Sequence, residues 1–150
     1  MKLALALVGV TSFWGCSKSA EEYVQKTKRS EADVQLSRLA KSATITAIEI
    51  GRFPIGQTAL VPATDCCGQP NHKCQPDPKQ WSASPWIELE FTVDEPHFFR
   101  YSYSSDGKTF TARAVGDLDC DSETVTYTMT GAIEANGNPS TMLEKPTNRD

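Results

Sequence analysis

Histidine is scarce in this chain, with only His72 and His97 present, and no serine stands in a G-x-S-x-G setting. The sequence likewise has no H-E-x-x-H, no phosphate-cradling G-x-x-x-x-G-K-[ST] and no glycine-rich dinucleotide fingerprint. These absences remove the signatures of serine hydrolases, zinc peptidases, nucleotide hydrolases and nicotinamide enzymes, and the chain is expected not to be an enzyme. There is no C-x-x-C-H for covalent haem. Basic residues are not in excess: 15 Lys and Arg against 19 Asp and Glu give a formal charge of -4, which argues against a nucleic-acid surface. A membrane-crossing helix needs roughly 20 consecutive apolar residues. The run from Leu3 to Trp14 is shorter.

That run is nevertheless informative. Lys2, then about a dozen mostly apolar residues, then Gly15 before Cys16 has the proportions of a secretory signal. Phe13-Trp14-Gly15-Cys16 resembles a bacterial lipobox, which implies cleavage before Cys16 and lipid attachment to its thiol. Phe13 and Trp14 stand where that motif usually has Leu and a small residue. The alternative is an ordinary signal peptide or a short uncleaved anchor with an incidental cysteine. Either takes the chain out of the cytoplasm, and a lipid at Cys16 would hold it in the cell envelope. Ser17 in place of Asp after the cysteine favours the outer over the inner membrane.

Residues 1–15 are thus read as a lipoprotein-type signal, 16–50 as a helical arm and spine, 51–138 as a globular domain and 139–150 as a flexible tail. About 135 residues remain after the signal, enough for one small domain plus an arm. Four further cysteines, Cys66, Cys67, Cys74 and Cys120, are an even number in an exported chain, so two disulfides are expected. Three pairings are open, with the neighbours Cys66 and Cys67 the least favourable partners. Cys66, Cys67, His72 and Cys74 could instead ligate zinc, but export favours disulfides.

From Ser17 to Ile50 there is no Pro and no Gly, and Ala, Glu, Lys, Gln and Leu abound, which predicts one long helix. Leu36, Ala40, Ala43, Ala47 and Ile50, with Leu39 beside them, form an apolar stripe on its second half. The first half, charged from Glu21 to Asp33, is expected to project toward the membrane. Gly51-Arg52-Phe53-Pro54 ends the helix. Residues 56–84 form a long proline-bearing connection that needs a staple or a function. Beyond it the period becomes two. Ile87 to Val93, Phe99 to Tyr103, Phe110 to Ala114 and Val125 to Ile133 read as strands, with Ser105-Asp106-Gly107 a hairpin turn. The expected fold is α+β: a long N-terminal helix packed on a four-stranded antiparallel sheet, with disulfide-stapled loops.

Asp117, Asp119, Asp121 and Glu123 alternate across a turn and could converge on calcium, a cation that oxygen ligands suit. The spacing is not that of an EF-hand, and a solvated acidic loop is the competing reading. The aromatics from His97 to Tyr103 could stack a ligand, although their alternation favours a core strand.

Tyr23-Val24-Gln25-Lys26-Thr27-Lys28-Arg29-Ser30-Glu31-Ala32, with Leu36 following, resembles the stretch where the helix leaves the membrane in deltaproteobacterial type IV pilins. Cys66-Cys67-Gly68, Lys73-Cys74, the Trp81 to Trp86 spacing, Pro96-His97-Phe98-Phe99 with Tyr101 and Tyr103, and Gly116-Asp117-Leu118-Asp119-Cys120-Asp121 are similar to the pilin head in the same order. The resemblance runs from Tyr23 to Asn138 and implies a helix spine on an antiparallel sheet with cysteine-clamped loops. The prepilin motif is missing: a Gly at the cleavage site, then Phe, and an acidic residue within a long apolar helix. A lipid at Cys16 would replace the helix as anchor. The function implied is an accessory or minor-pilin-like component that associates with type IV pilus or secretion-system subunits. The alternative is a free-standing surface adhesin or ligand-binding lipoprotein, one that could depend on calcium.

Overall fold

The computed structural model describes residues 16–148, with side chains from Ser19 onward. The expected signal segment lies outside the described residues. The first element, α1 (Cys16–Ile50), runs 35 residues without interruption, about 52 Å at 1.5 Å per residue. Gly51, at φ +75°, ends it and donates its N–H to Ala47 O at 2.9 Å. Glycine takes this left-handed cap at no steric cost. The next turn is pinned when Phe53 N–H donates to Gly107 O at 2.9 Å, which sets the helix end against a hairpin tip.

The sheet contains β1 (Gly56–Gln57), β2 (Arg100–Ser105), β3 (Thr109–Gly116), β4 (Val125–Ile133) and β5 (Pro139–Glu144), paired antiparallel in sequence order. The helix packs on β3, β4 and β5. Ala32, Leu36, Leu39, Ala40, Ala43 and Ala47 are buried on α1, as are Ala112 and Ala114 on β3. Small side chains on both elements let the helix lie close to the sheet. Tyr127 and Met129 from β4 and Phe99 just ahead of β2 complete this layer, while Ser104, Arg113 and Thr126 face outward. Within the sheet Phe110 lies over its register partner Gly131, where an added Cβ would meet the ring at 2.1 Å.

The α+β class, the long helix and three of the expected strands are present, but the sheet has five strands and not four. Ile87 to Val93 is not a strand. Its backbone closes local turns, with Leu89 N–H donating to Pro85 O and Phe91 N–H to Trp86 O, both at 3.0 Å. Leu89, Phe91 and Val93 are buried while Ile87 is 60% exposed. Alternating residues over so short a run suit either a strand or a turn that buries one side. The contacts decide: Trp81, Trp86, Phe91 and Tyr101 form a ring cluster, with Trp81 to Trp86 at 5.1 Å and Phe91 to Tyr101 at 5.6 Å.

β1 and β5 are the strands not anticipated. Residues 139–144 were expected to be part of a flexible tail, yet they pair with β4 from Thr128 to Ile133. An Asn136-Gly137 turn, with Gly137 at φ +84°, returns the chain so that the open edge of β4 is hydrogen-bonded. Beyond the strand, Asn148 Nδ2 donates to Thr124 O at 3.2 Å and Arg29 donates to Asn148 O at 3.0 Å. Ile50 also departs from its expected place, being 56% exposed where the helix overhangs the sheet.

Candidate functional site

Two loops meet beside the middle of α1. The first carries Cys66, Cys67 and Cys74, and the second runs from Asp117 to Glu123. Cys66 pairs with Cys74, and Cys67 pairs with Cys120. Neighbouring cysteines therefore point to different partners: one closes its own loop and the other joins the two loops across the end of β3. The three sulfurs of the zinc alternative are consumed in disulfides, and His72 Nδ1 lies 2.9 Å from Cys67 O. Cys74 and His97 exchange backbone hydrogen bonds at 2.8 and 3.1 Å, which carries the stapled loop onto the approach to β2.

The acidic loop is built around Asp117. Its Oδ1 accepts from Cys120 N–H at 2.7 Å and Asp121 N–H at 3.2 Å, and its Oδ2 accepts from Ser122 N–H at 2.9 Å. These bonds stabilise a turn in which Cys120 (φ +65°) and Ser122 (φ +79°) take left-handed backbone conformations. The carboxylates of Asp117, Asp119 and Asp121 offer oxygens within 4.8 Å of one another. Glu123 does not join them; its N–H instead donates to Asp121 Oδ1 at 2.8 Å.

Between the loops and the helix lies Glu31. Its carboxylate accepts from Phe98 N–H at 3.0 and 3.1 Å, from Phe99 N–H at 3.3 Å and from the Tyr101 hydroxyl at 3.0 Å. Burial raises its pKa above the ordinary value, and the Phe98 N–H, the Tyr101 hydroxyl, the Phe99 N–H and the Lys73 charge oppose the rise. Burial pushes Tyr101 well above the usual phenol range, and the Glu31 charge pushes it further. Tyr101 therefore remains a donor, and Glu31 ties α1 to the segment that enters β2.

Around this tie the charged part of the helix docks earlier than its sequence suggests. The Lys28 ammonium donates to Leu118 O, and Asp33 pairs with Lys145 at 2.7 Å. Lys28 and Lys73 each place Nζ about 5 Å from the Phe98 ring centroid, at 5.2 and 4.8 Å, within the range of a cation–π contact. The projecting segment is thus shorter than expected, with residues 19–24 exposed ahead of these contacts. Next to Phe98, His97 is buried at 2% exposure, with Nδ1 2.9 Å from Glu95 O. Its Nε2 has no hydrogen-bond partner among the described residues, and burial lowers its pKa.

The structure brings Cys66, Cys67, Cys74, Cys120, Asp117, Asp119 and Asp121 into one loop pair. Cys16 opens α1 far from them, and its side chain lies outside the described ones. Glu31 and Lys28 were legible only as members of a charged run. The available signal was position: Glu31 immediately precedes Ala32, the first buried residue of the helix among the described side chains. No family model, curated protein or solved structure matches the chain.

Proposed function

We propose that this is a lipid-anchored, pilin-like envelope protein that works by assembly: an accessory or minor-pilin-like partner of a type IV pilus or a type II secretion-like machine. The observation that carries the reading is α1. A 35-residue N-terminal helix has its second half on an antiparallel sheet and residues 19–24 exposed, and the loops beside it are closed by two disulfides. That arrangement suits a head presented at the end of a stem. The residues that resemble a pilin head, including the cysteines and the Gly116 to Asp121 turn, lie together at this junction. The anchor is assigned to a lipid on Cys16, and the location to the envelope, outer membrane over inner.

The charged run from Glu21 to Asp33 would be costly to bury in a filament core without partners. The protein is therefore expected at a filament base or tip, not along its length. Crosslinking in cells followed by purification tests this: pilus or secretion subunits should be recovered with the protein. Homopolymeric filaments built from it would overturn the stem-replacement idea. Mass spectrometry should find diacylglycerol on Cys16, and an unmodified Cys16 would remove the anchor.

A second reading is favoured by the convergence of Asp117, Asp119 and Asp121. In it the protein is a free-standing, calcium-dependent adhesin or ligand-binding lipoprotein. Calcium bound only by the folded state would raise the melting temperature, and Asp119→Asn should abolish the rise. Identical melting in calcium and in chelator leaves the cluster as a hydrogen-bonded turn.

A further inference from the structure

The two edges of the sheet are finished differently. At one edge β1 is two residues long, and the chain beyond it still bonds β2 through Thr58 N–H to Tyr103 O and through Val61 to Tyr101. At the other edge β5 runs the length Pro139–Glu144 with a neighbour on one side only. Sheets blunt such an edge with charge, proline, a bulge or brevity. Pro139 and Glu144 stand at the ends of β5, but Ser140-Thr141-Met142-Leu143 between them carries neither device, and its unbroken register with β4 leaves no bulge. The direction of each main-chain group follows from the turn. Glu134 N–H donates to Asn138 O at 2.9 Å, and antiparallel pairs alternate between bonded and unbonded. Ser140, Met142 and Glu144 therefore bond to β4, while Thr141 and Leu143 turn their N–H and C=O groups away from it. Among the described residues nothing bonds to these outward groups.

We infer that β5 is a dimer edge, on which a second copy of this chain pairs antiparallel about a twofold axis at Met142. In that register Thr141 faces the second copy's Leu143, and each N–H donates to the other's C=O. Lys145 N–H, next in the same phase, faces Pro139 O. Sliding the copy by two residues, to centre on Thr141, would set Leu143 C=O against a proline that has no N–H to give. Met142, the exposed apolar side chain of this strand's outer face, then meets itself. A free peptide laid on β5 would present a new open edge of its own. A second copy does not: the joined sheet ends on the two-residue β1 at both sides. Such an isologous pair closes on itself and builds no filament. Its one adverse neighbour is Glu144, set opposite Ser140, whose hydroxyl donates to Glu134. The inference goes beyond the assembly role and does not depend on it.

The contact is smaller than a standard interface, so the test traps it. The full chain carries Cys16→Ser, which leaves an added cysteine as the single thiol outside the two disulfides. Met142→Cys should oxidise to a covalent dimer, because paired Cα atoms at the axis lie about 4.5 Å apart. Ser140→Cys should not link to itself: its Cα atoms would be about 14 Å apart, beyond the roughly 7 Å that a disulfide spans. Mixed with Glu144→Cys, it should link. Without added cysteine, sedimentation of concentrated protein should show a dimer that Met142→Glu abolishes, that an equal mixture of Met142→Glu and Met142→Lys restores, and that Glu144→Gln strengthens. Near-ultraviolet circular dichroism should be the same throughout. Equal self-linking at positions 140 and 142 would report association through another part of the chain and overturn the proposal. No link at position 142, or a charge-swapped mixture that stays monomeric, would do the same.

Discussion

At the scale of single residues, Glu31 bonds the helix to Phe98, Phe99 and Tyr101 at the entry to β2. Glu31→Ala would leave two backbone N–H groups and the Tyr101 hydroxyl without an acceptor at a partly buried site, and should lower unfolding stability by about 3 kcal/mol in urea titrations. Glu31→Gln keeps an acceptor oxygen and should cost less. Glu31 and His97 also set opposing pH dependences. Because the Glu31 pKa is raised from 4.5, its favourable contribution is complete below 4.5 and lost as pH rises through the folded value. Because the His97 pKa is lowered from 6.5, the unfolded chain takes the proton first, and stability falls as pH drops below 6.5. Between pH 7 and 4.5 the two should partly cancel. Stability of His97→Phe should rise as pH falls across that interval, and that of Glu31→Gln should fall; parallel profiles for the two variants would refute the assignment. None of this was legible in the sequence, because a burial shift depends on which backbone amides arrive from a segment more than 60 residues away.

At the scale of elements, legibility followed the length of the pattern. The stretch from Ser17 to Ile50 spans many helical turns without a breaker, and β3 and β4 alternate over eight and nine residues, so their types were clear. Ile87 to Val93 was too short to separate a strand from a turn, and the bulky rings at Trp81 and Trp86 settled it. β5 was missed for a different reason: its residues are mostly exposed and carry little apolar alternation, although Asn136-Gly137 marks a hairpin. The alanine faces of α1 and β3 lead to a prediction. Ala43→Leu should destabilise by about 1 to 3 kcal/mol through overpacking, whereas Val34→Leu on the exposed side should change stability by less than about 0.5 kcal/mol. Thermal melts of the two variants would separate close packing from general helix propensity.

At the scale of the whole molecule, the two disulfides act on different distances. Cys67–Cys120 spans 53 positions and Cys66–Cys74 spans 8. On the chain-entropy estimate, removing the first should cost about 4 kcal/mol and the second about 2.5 kcal/mol. Paired alanine substitutions read by urea titration should reproduce that order, and non-reducing peptide mapping should recover these two pairs. The even number of cysteines announced two bridges, but the partners follow only from how the end of β3 meets the loop after β1.

The placement of the Glu31 tie has a mechanical meaning. Residues 19–24 are exposed, and Glu31 bonds the head near the middle of α1, so the helix is a lever with its fulcrum there. A pull at its free end loads the bonds to Phe98, Phe99 and Tyr101 early, and passes through the Cys74–His97 bridge into loops closed by covalent links. Those loops cannot be drawn out beyond the length their disulfides allow. Traction on the stem therefore reaches loops that cannot lengthen, while the Arg29–Asn148 and Asp33–Lys145 contacts share the load with the segment that follows β5.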